Sequence, residues 1–257
     1  LFQPAEETGK GAYAVLNDPG FAKVEPDYIF ALHNLPGEPL NSVIMVDNYF
    51  SATVQSFRLE LTGKQAHASE PENGINPAYA MSELISQFRT LQVMSPEKND
   101  FTLLTPVHAN LGTPDYGISA GTGELHYTIR TWDEMEMEKL QENIIKEIET
   151  VCNKEHLSYS INWFDYFPAS KNDEQCNYYI KNAASKLDLD IINRPYPLKF
   201  GEDFGWFSQK YKCAMFGLGA GENTPALHHS NYDFPDELLE TGINMFTGII
   251  GQLLEEG

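Results

Sequence analysis

Hydrophobic and polar positions along the 257-residue chain change period several times, and each change marks an element. Residues 10–17 (KGAYAVLN) carry a short helical pattern, stopped by the turn signal Asn17-Asp18-Pro19-Gly20. Tyr28-Ile29-Phe30-Ala31-Leu32 is a continuous apolar run between Pro26 and Pro36. It predicts a buried strand with His33 at its carboxyl end. From about residue 50 the period falls to two, and Ser56 to Thr62 (SFRLELT) predicts a half-buried strand ended by Gly63. Asn76 and Pro77 open a helix on which Ala80, Leu84, Ile85, Phe88 and Leu91 share a face. Residues 101–107 and 125–131 read as strands. Residues 135–151 read as a second long helix with Leu140, Ile144, Ile148 and Val151 inward, and 159–164 as a last strand.

That order is β-α-β-β-α-β, which predicts a ferredoxin-like α+β unit of two helices on one antiparallel sheet over residues 50–167. After Pro168 the style changes. A helix is expected over 173–187, a short helix after Gly201-Glu202-Asp203-Phe204, an apolar strand at 214–218 and a final helix over 236–254. The simplest architecture is an α/β domain made of 1–49 and 168–257, interrupted by the 50–167 insert.

Composition narrows the function classes. Hydrophobic residues make up 42% and charged residues 21% of the chain, the balance of a globular protein. No apolar run is long enough for a transmembrane helix. Lys plus Arg number 17 against 37 for Asp plus Glu, a net charge of −20. Such a surface repels nucleic-acid phosphates and anionic lipid, so neither nucleic acid nor membrane is an expected partner; divalent cations suit it better. Cys152, Cys176 and Cys213 form no C-x-x-C pair, which fits a reducing, cytoplasmic setting. The opening Leu1-Phe2-Gln3-Pro4 has no initiator Met and is no intact signal peptide. It reads as the middle of a longer element.

Several residues could do chemistry. Glu6-Glu7, expected at a strand-to-helix turn, would point two carboxylates in different directions: one could bind a cation, the other take a proton from water on it. His33 is expected where ligand crevices of α/β sheets open. His228-His229 follows the glycine-rich 217–221 and precedes Asp233, Asp236 and Glu237, company that suits a metal-ligating imidazole. Two adjacent histidines rarely bind one ion, so one of the pair is the expected ligand. His67 lies in the polar segment 63–71, read as a loop. His108, His126 and His156 have no acidic companion at useful spacing and read as structural. No nucleophile elbow of a Ser-His-Asp hydrolase is read in the chain, and H-E-x-x-H and G-x-G-x-x-G are missing from the sequence.

Taken together, five ordered segments resemble the M20 metallopeptidase and amidohydrolase family. The likeness is strongest to its aminoacylase-like branch of hippurate hydrolases and indoleacetyl-amino acid hydrolases. The segments are Phe2-Gln3-Pro4-Ala5-Glu6-Glu7, His33-Asn34-Leu35-Pro36-Gly37, Gly63-Lys64-Gln65-Ala66-His67-Ala68, Gly201-Glu202-Asp203-Phe204, and Leu227-His228 leading to Tyr232-Asp233-Phe234. The resemblance implies Glu6 as general base, and Glu7, His33 and His228 as metal ligands, with His229 the fallback for His228. It implies His67 as the lid histidine that steadies the scissile carbonyl, and two divalent ions, zinc or else manganese, cobalt or nickel. It also makes the 50–167 insert the lid and dimerisation domain of a homodimer.

The resemblance also implies departures. The family's N-terminal part, with a further His and a metal-bridging Cys, has no counterpart in this sequence. Gly117-Ile118-Ser119-Ala120 replaces a usual Asn-x-Ile-Pro, and Ala68-Ser69-Glu70-Pro71 follows His67. The expected activity is metal-dependent hydrolysis of the amide bond in N-acyl amino acids or short peptides, with this chain by itself inactive. The alternative is a non-catalytic folded fragment that serves only as a dimerisation module.

Overall fold

The computed structural model describes residue 1 and residues 3–256; Phe2 of the first family-like segment lies outside them. A 3-10 turn at Glu6–Thr8 precedes α1 (Gly11–Leu16), β1 (Tyr28–Leu35), β2 (Val43–Val46) and β3 (Tyr49–Ser51). Then come β4 (Thr53–Thr62), β5 (Ala66–His67), α2 (Ala78–Thr90), β6 (Thr102–Leu111), β7 (Ile118–Ser119), β8 (Thr122–Thr131), α3 (Glu134–Lys154) and β9 (Ser158–Phe167). The chain ends with β10 (Ser170–Lys171), α4 (Glu174–Lys186), β11 (Ile191–Arg194), α5 (Gly205–Ser208), β12 (Lys212–Gly219) and α6 (Glu237–Glu256). The fold is mixed α/β. Contacts divide it into two units, Leu1–Ala52 with Pro168–Gly257, and Thr53–Phe167.

In the first unit the sheet order is β1-β12-β2-β11, with β3 and β10 forming a separate antiparallel pair. β1 runs parallel to β12 over eight consecutive pairs, from Tyr28↔Lys212 to Leu35↔Gly219. The strands are short apolar runs because both faces are covered. Val43, Met45, Phe216 and Leu218 face a core shared with Tyr179 and Ile180 of α4 and Met245 and Ile249 of α6. Val46 and Met215 face the other core, with Ala12, Phe21, Phe50 and Phe207. β2 and β12 pair only at Gly217↔Ile44 and Leu218↔Val43 before they diverge. Buried Asn172 fills the gap. Its Nδ2 donates to the Val46 and Met215 carbonyls at 3.2 and 2.9 Å, and its Oδ1 accepts from the Met215 amide at 2.8 Å. Asp173 then caps α4 by accepting from the amides of Gln175 and Cys176.

In the second unit the antiparallel order is β6-β8-β4-β9. Phe57, Leu59 and Leu61 of β4 and Leu125, Tyr127 and Ile129 of β8 point inward, where Leu84 and Phe88 of α2 and Ile144 and Ile148 of α3 cover them. Phe57 stacks on Tyr127 with ring centroids 5.3 Å apart. Asp133 caps α3 through the Glu136 amide at 2.9 Å. β5 and β7 form a two-residue antiparallel pair in which His67 faces Ile118.

Three expectations change. The strand holding His33 does not stop there: Asn34 and Leu35 continue the ladder on Leu218 and Gly219, so His33 is an interior strand position. His67 stands in a short paired strand and not in a loop. Glu6 and Glu7 sit on a 3-10 turn, and residues 1 and 3–5 form no strand before it.

Candidate active site

The site begins with a strained turn. Ala5, immediately before Glu6, has φ 60°, a left-handed conformation that a side chain disfavours, and Gly9 after the turn has φ 69°. The turn is anchored from across the chain. Asp203, fully buried, accepts from the Ala12 amide at 2.7 Å through Oδ2 and from the Gln3 side-chain amide at 2.6 Å through Oδ1. The backbone packs so closely there that a Cβ on Gly11 would lie 1.9 Å from the Pro4 carbonyl oxygen. Gln3 and Ala12 flank Glu6 and Glu7, so the two anchors hold that pair between them.

Glu202, next to Asp203, is buried as well. Burial foremost, with the charges of Glu6, Asp203 and Glu7 adding to it, raises its carboxyl pKa to about 8. Burial is also the main reason that Glu6 is raised, with Asp203 and Glu7 adding and His228 opposing.

His33 faces this group from β1. Its Nδ1 lies 2.7 Å from the Asn34 carbonyl oxygen, which can only accept, so the proton is on Nδ1. Burial lowers the imidazole pKa, which favours the neutral ring with the Nε2 lone pair as acceptor. That nitrogen is 3.3 Å from Glu202 Oε1. Phe200 lies against the ring, centroids 5.1 Å apart.

His228 closes the cluster from an irregular loop and adopts φ 64°. Its charge acts on both Glu6 and His33, and Glu7 acts on His33 as well. The loop is tied to β1 by a hydrogen bond from the Asn34 side-chain amide to the Tyr232 hydroxyl. His229 is exposed and accepts from the Asn231 amide at 3.1 Å.

The first unit thus gathers Glu6, Glu7, His33, Glu202 and His228 into one electrostatic neighbourhood. Carboxylate oxygens and a neutral imidazole with a free Nε2 are donors of the type that bind divalent first-row cations. Among the described residues, no three His, Cys, Asp or Glu side chains stand together in the geometry of a metal site.

His67 belongs to the second unit. Its Nδ1 accepts from the Ser69 amide at 3.1 Å and is 2.7 Å from the Ser69 hydroxyl. A backbone N–H can only donate, so Nδ1 is bare and the neutral ring carries its proton on Nε2, as an outward donor.

The reading of His126 is corrected by the outer face of the four-stranded sheet, on β8. Its Nε2 donates to Glu124 Oε2 at 3.2 Å, and Glu124 also takes Arg58 at 3.3 Å. Residues two apart on a strand share a face, so the acidic companion was at i−2.

A profile for peptidase family M20/M25/M40 matches residues 1–252. The chain belongs to that family. The N-acetyldiaminopimelate deacetylase of Bacillus subtilis is 29% identical over 252 residues, covering 96% of this chain and 66% of that protein. The Bacillus subtilis YxeP protein, described as a dinuclear metal-binding peptidase of the M20 family, superposes with a TM-score of 0.80 at 22% identity. The match covers 99% of this chain and 64% of that one. The Bacillus cereus aminopeptidase PepT superposes with a TM-score of 0.73 at 17% identity, over 96% and 62% respectively. At those identities the structures establish the fold alone. The chain spans 63–68% of the length of curated relatives it matches.

Sequence reasoning had assigned no role to Glu202, Asp203, Gln3 or Asn34. The signal was present in part: an acidic pair between Gly201 and Phe204, directly before a short helix, is an odd placement for two charges unless they are buried with partners.

Proposed function

We propose that the chain carries the hydrolytic machinery for metal-dependent cleavage of an amide bond in N-acyl amino acids or short peptides. The observation that carries this reading is buried Glu202, with Oε1 3.3 Å from Nε2 of His33 and with Glu6, Asp203 and Glu7, all acidic, as its electrostatic neighbours. Carboxylates crowded in this way are stabilised by a cation. Membership of the M20 family and likeness to an N-acetyldiaminopimelate deacetylase support the amide as the bond cleaved.

In this reading Glu7, His33 and His228 hold divalent ions, zinc by preference and manganese, cobalt or nickel as alternatives. When bound, the ions polarise the scissile carbonyl and acidify water. The Nδ1–H bond to Asn34 orients His33 so that Nε2 can serve as the ligating atom. Glu6, raised by burial, takes a proton from the attacking water and returns it to the leaving amine. His67, with its proton on Nε2, donates to the carbonyl oxygen as negative charge develops there.

We assign the inserted unit as a ferredoxin-like lid and dimerisation domain of a homodimer. The free edge of β6, where Val107 and Leu111 are exposed, offers backbone groups that a second copy can pair.

The test is metal content by mass spectrometry together with turnover of N-acetyl amino acids, after loading with zinc or manganese. Glu7→Gln should lose metal and turnover together. Glu6→Gln should keep metal and lose about 10²–10⁴-fold in turnover. His67→Ala should keep metal and lose turnover. This chain by itself is expected to be inactive, so the variants are read in a protein that carries these residues at the full length of the M20 relatives. If that protein takes up no metal and cleaves nothing, the reading that survives is the non-catalytic dimerisation module.

A further inference from the structure

The sheet of the second unit buries one face under its helices and keeps the other polar. On the polar face the register sets His126 of β8 between Arg58 of β4 and His108 of β6, and Glu124 between Glu60 and Asn110. His108 reaches this face through a bulge. Pro106 opposes the buried Tyr127 and Ala109 opposes the buried Leu125, three positions apart where a regular strand allows two or four. The register shifts between Pro106 and His108, and the extra residue, Val107, is exposed. With unbroken alternation Val107 and Ala109 would take the outer face, and His108 would point into the core. A bulge re-aims side chains, and this one sets an imidazole directly opposite another.

The two rings meet nearly at right angles, with centroids 5.1 Å apart. Nε2 of His126 donates to Glu124 Oε2 at 3.2 Å. A carboxylate only accepts, so in the neutral ring Nδ1 keeps its lone pair. Glu124 is held in turn by Arg58 at 3.3 Å, and the charges of Arg58 and of both imidazoles act on it. Among the described residues no hydrogen bond engages the His108 ring, which is exposed.

Residues directly opposite on antiparallel strands carry Cβ atoms about 4.5–5.5 Å apart, so two imidazoles placed this way are within reach of one ion. A ligating imidazole characteristically gives its other N–H to a carboxylate, which fixes the tautomer and the ring's direction. His126 and Glu124 have that arrangement. As a purely structural pair the histidines would be a poor choice, because they repel each other whenever both are charged.

We propose that His108 and His126 form a two-imidazole site for a late first-row divalent cation, with water filling its remaining positions. Nδ1 is the ligating atom of His126, and Glu124 is the outer carboxylate that orients the ring. Imidazole nitrogen selects copper(II), nickel(II) or zinc(II) over magnesium and calcium, which take oxygen. Two protein ligands make a weaker, more exchangeable site than the three or four of a catalytic or structural zinc centre. The net charge of −20 favours cations near the surface. The ion ties β6, an edge strand, to its neighbour β8. Both ligands belong to the second unit, so the site does not depend on the roles proposed for Glu7, His33 and His228.

The test follows the imidazole resonances of the 257-residue chain by NMR while Zn²⁺ alone is added. The His108 and His126 resonances should move together, with one midpoint. Exposed His156 serves as the lone-imidazole reference, and its midpoint should lie about tenfold or more above theirs. Mg²⁺ should move neither resonance, and Cu²⁺ should act at a lower concentration than Zn²⁺. His108→Asn should raise the midpoint at His126 about tenfold or more, and His126→Asn should do the same at His108. Glu124→Ala should weaken uptake about 10–100-fold. With Zn²⁺ bound, amide exchange along β6 should slow about threefold or more. Uptake in the first unit shows separately, at His33 and His228, so either site can fail without the other. The proposal is overturned if His108 and His126 titrate with different midpoints or with the midpoint of His156. It is also overturned if either His→Asn variant leaves the other ring's midpoint unchanged.

Discussion

Asp203 is the residue whose removal tells most about how the site is held. Its two oxygens accept from the buried Ala12 amide and from the Gln3 side chain, on either side of the Glu6–Glu7 turn. Asp203→Ala leaves the Ala12 amide buried without an acceptor, which costs about 1–3 kcal/mol. Losing the charge-assisted bond to Gln3 adds less, because Gln3 is only partly buried and its amide can turn to water. Against these losses stands the relief of repulsion with Glu6 and Glu202, whose carboxyls Asp203 pushes upward. The net loss should be about 2 kcal/mol, roughly a 5–10 °C fall in the melting temperature of the first unit. Asp203→Asn should cost only about 1 kcal/mol. Its Oδ1 can still accept from Ala12, and Gln3, whose Oε1 is buried without a partner, can turn to accept from the new amide. Calorimetry of the two variants gives the ranking, and amide exchange at Ala12 localises it. A loss under about 0.5 kcal/mol for Asp203→Ala, or a larger loss for Asn than for Ala, would refute this account of the anchor.

Two other expectations concern the cores. Phe88→Ala, in the second unit, removes a fully buried ring packed edge-on against Phe57 and Tyr127, and should cost about 3–5 kcal/mol in urea unfolding of that unit. The free thiols of Cys152, Cys176 and Cys213 are buried, and burial raises their pKa values, to about 11 for Cys152 and about 12 for Cys176. At pH 8 they should resist Ellman's reagent until denaturant is added. The stability they contribute is fully present below the unfolded-thiol pKa of about 8.5 and is lost as the pH rises toward the folded values, so unfolding should become easier above pH ~9.

Much of the architecture was legible along the chain. The period-two runs at 56–62 and 125–131 mark β4 and β8 because alternate residues of those strands face one core, and that alternation is a local property. The helix stripe at Leu140, Ile144, Ile148 and Val151 is legible for the same reason. β2, β3, β10 and β11 escaped notice. They are two to four residues long, too short for a period to show, and they form only because distant partners complete their ladders.

The candidate chemistry divides along the same line. Glu6, Glu7, His33 and His228 could be singled out by residue type and order, since each stands in a segment that resembles the M20 family. Their relation to one another is tertiary: positions 6, 33, 202 and 228 meet only because the α/β unit packs β1, the turn and the segment after β11 together. Protonation is set partly by the fold and partly by a neighbour in sequence. Glu202 is pushed toward its neutral form because the fold buries it among negative charges, and His33 turns Nε2 toward it because the adjacent Asn34 carbonyl takes the other nitrogen. The sequence by itself determined which elements form and which donors exist, since both are written in local pattern and residue type. The burial of each donor, and anchors such as Gln3 and Ala12 on Asp203 about two hundred positions away, are decided only by the folded chain.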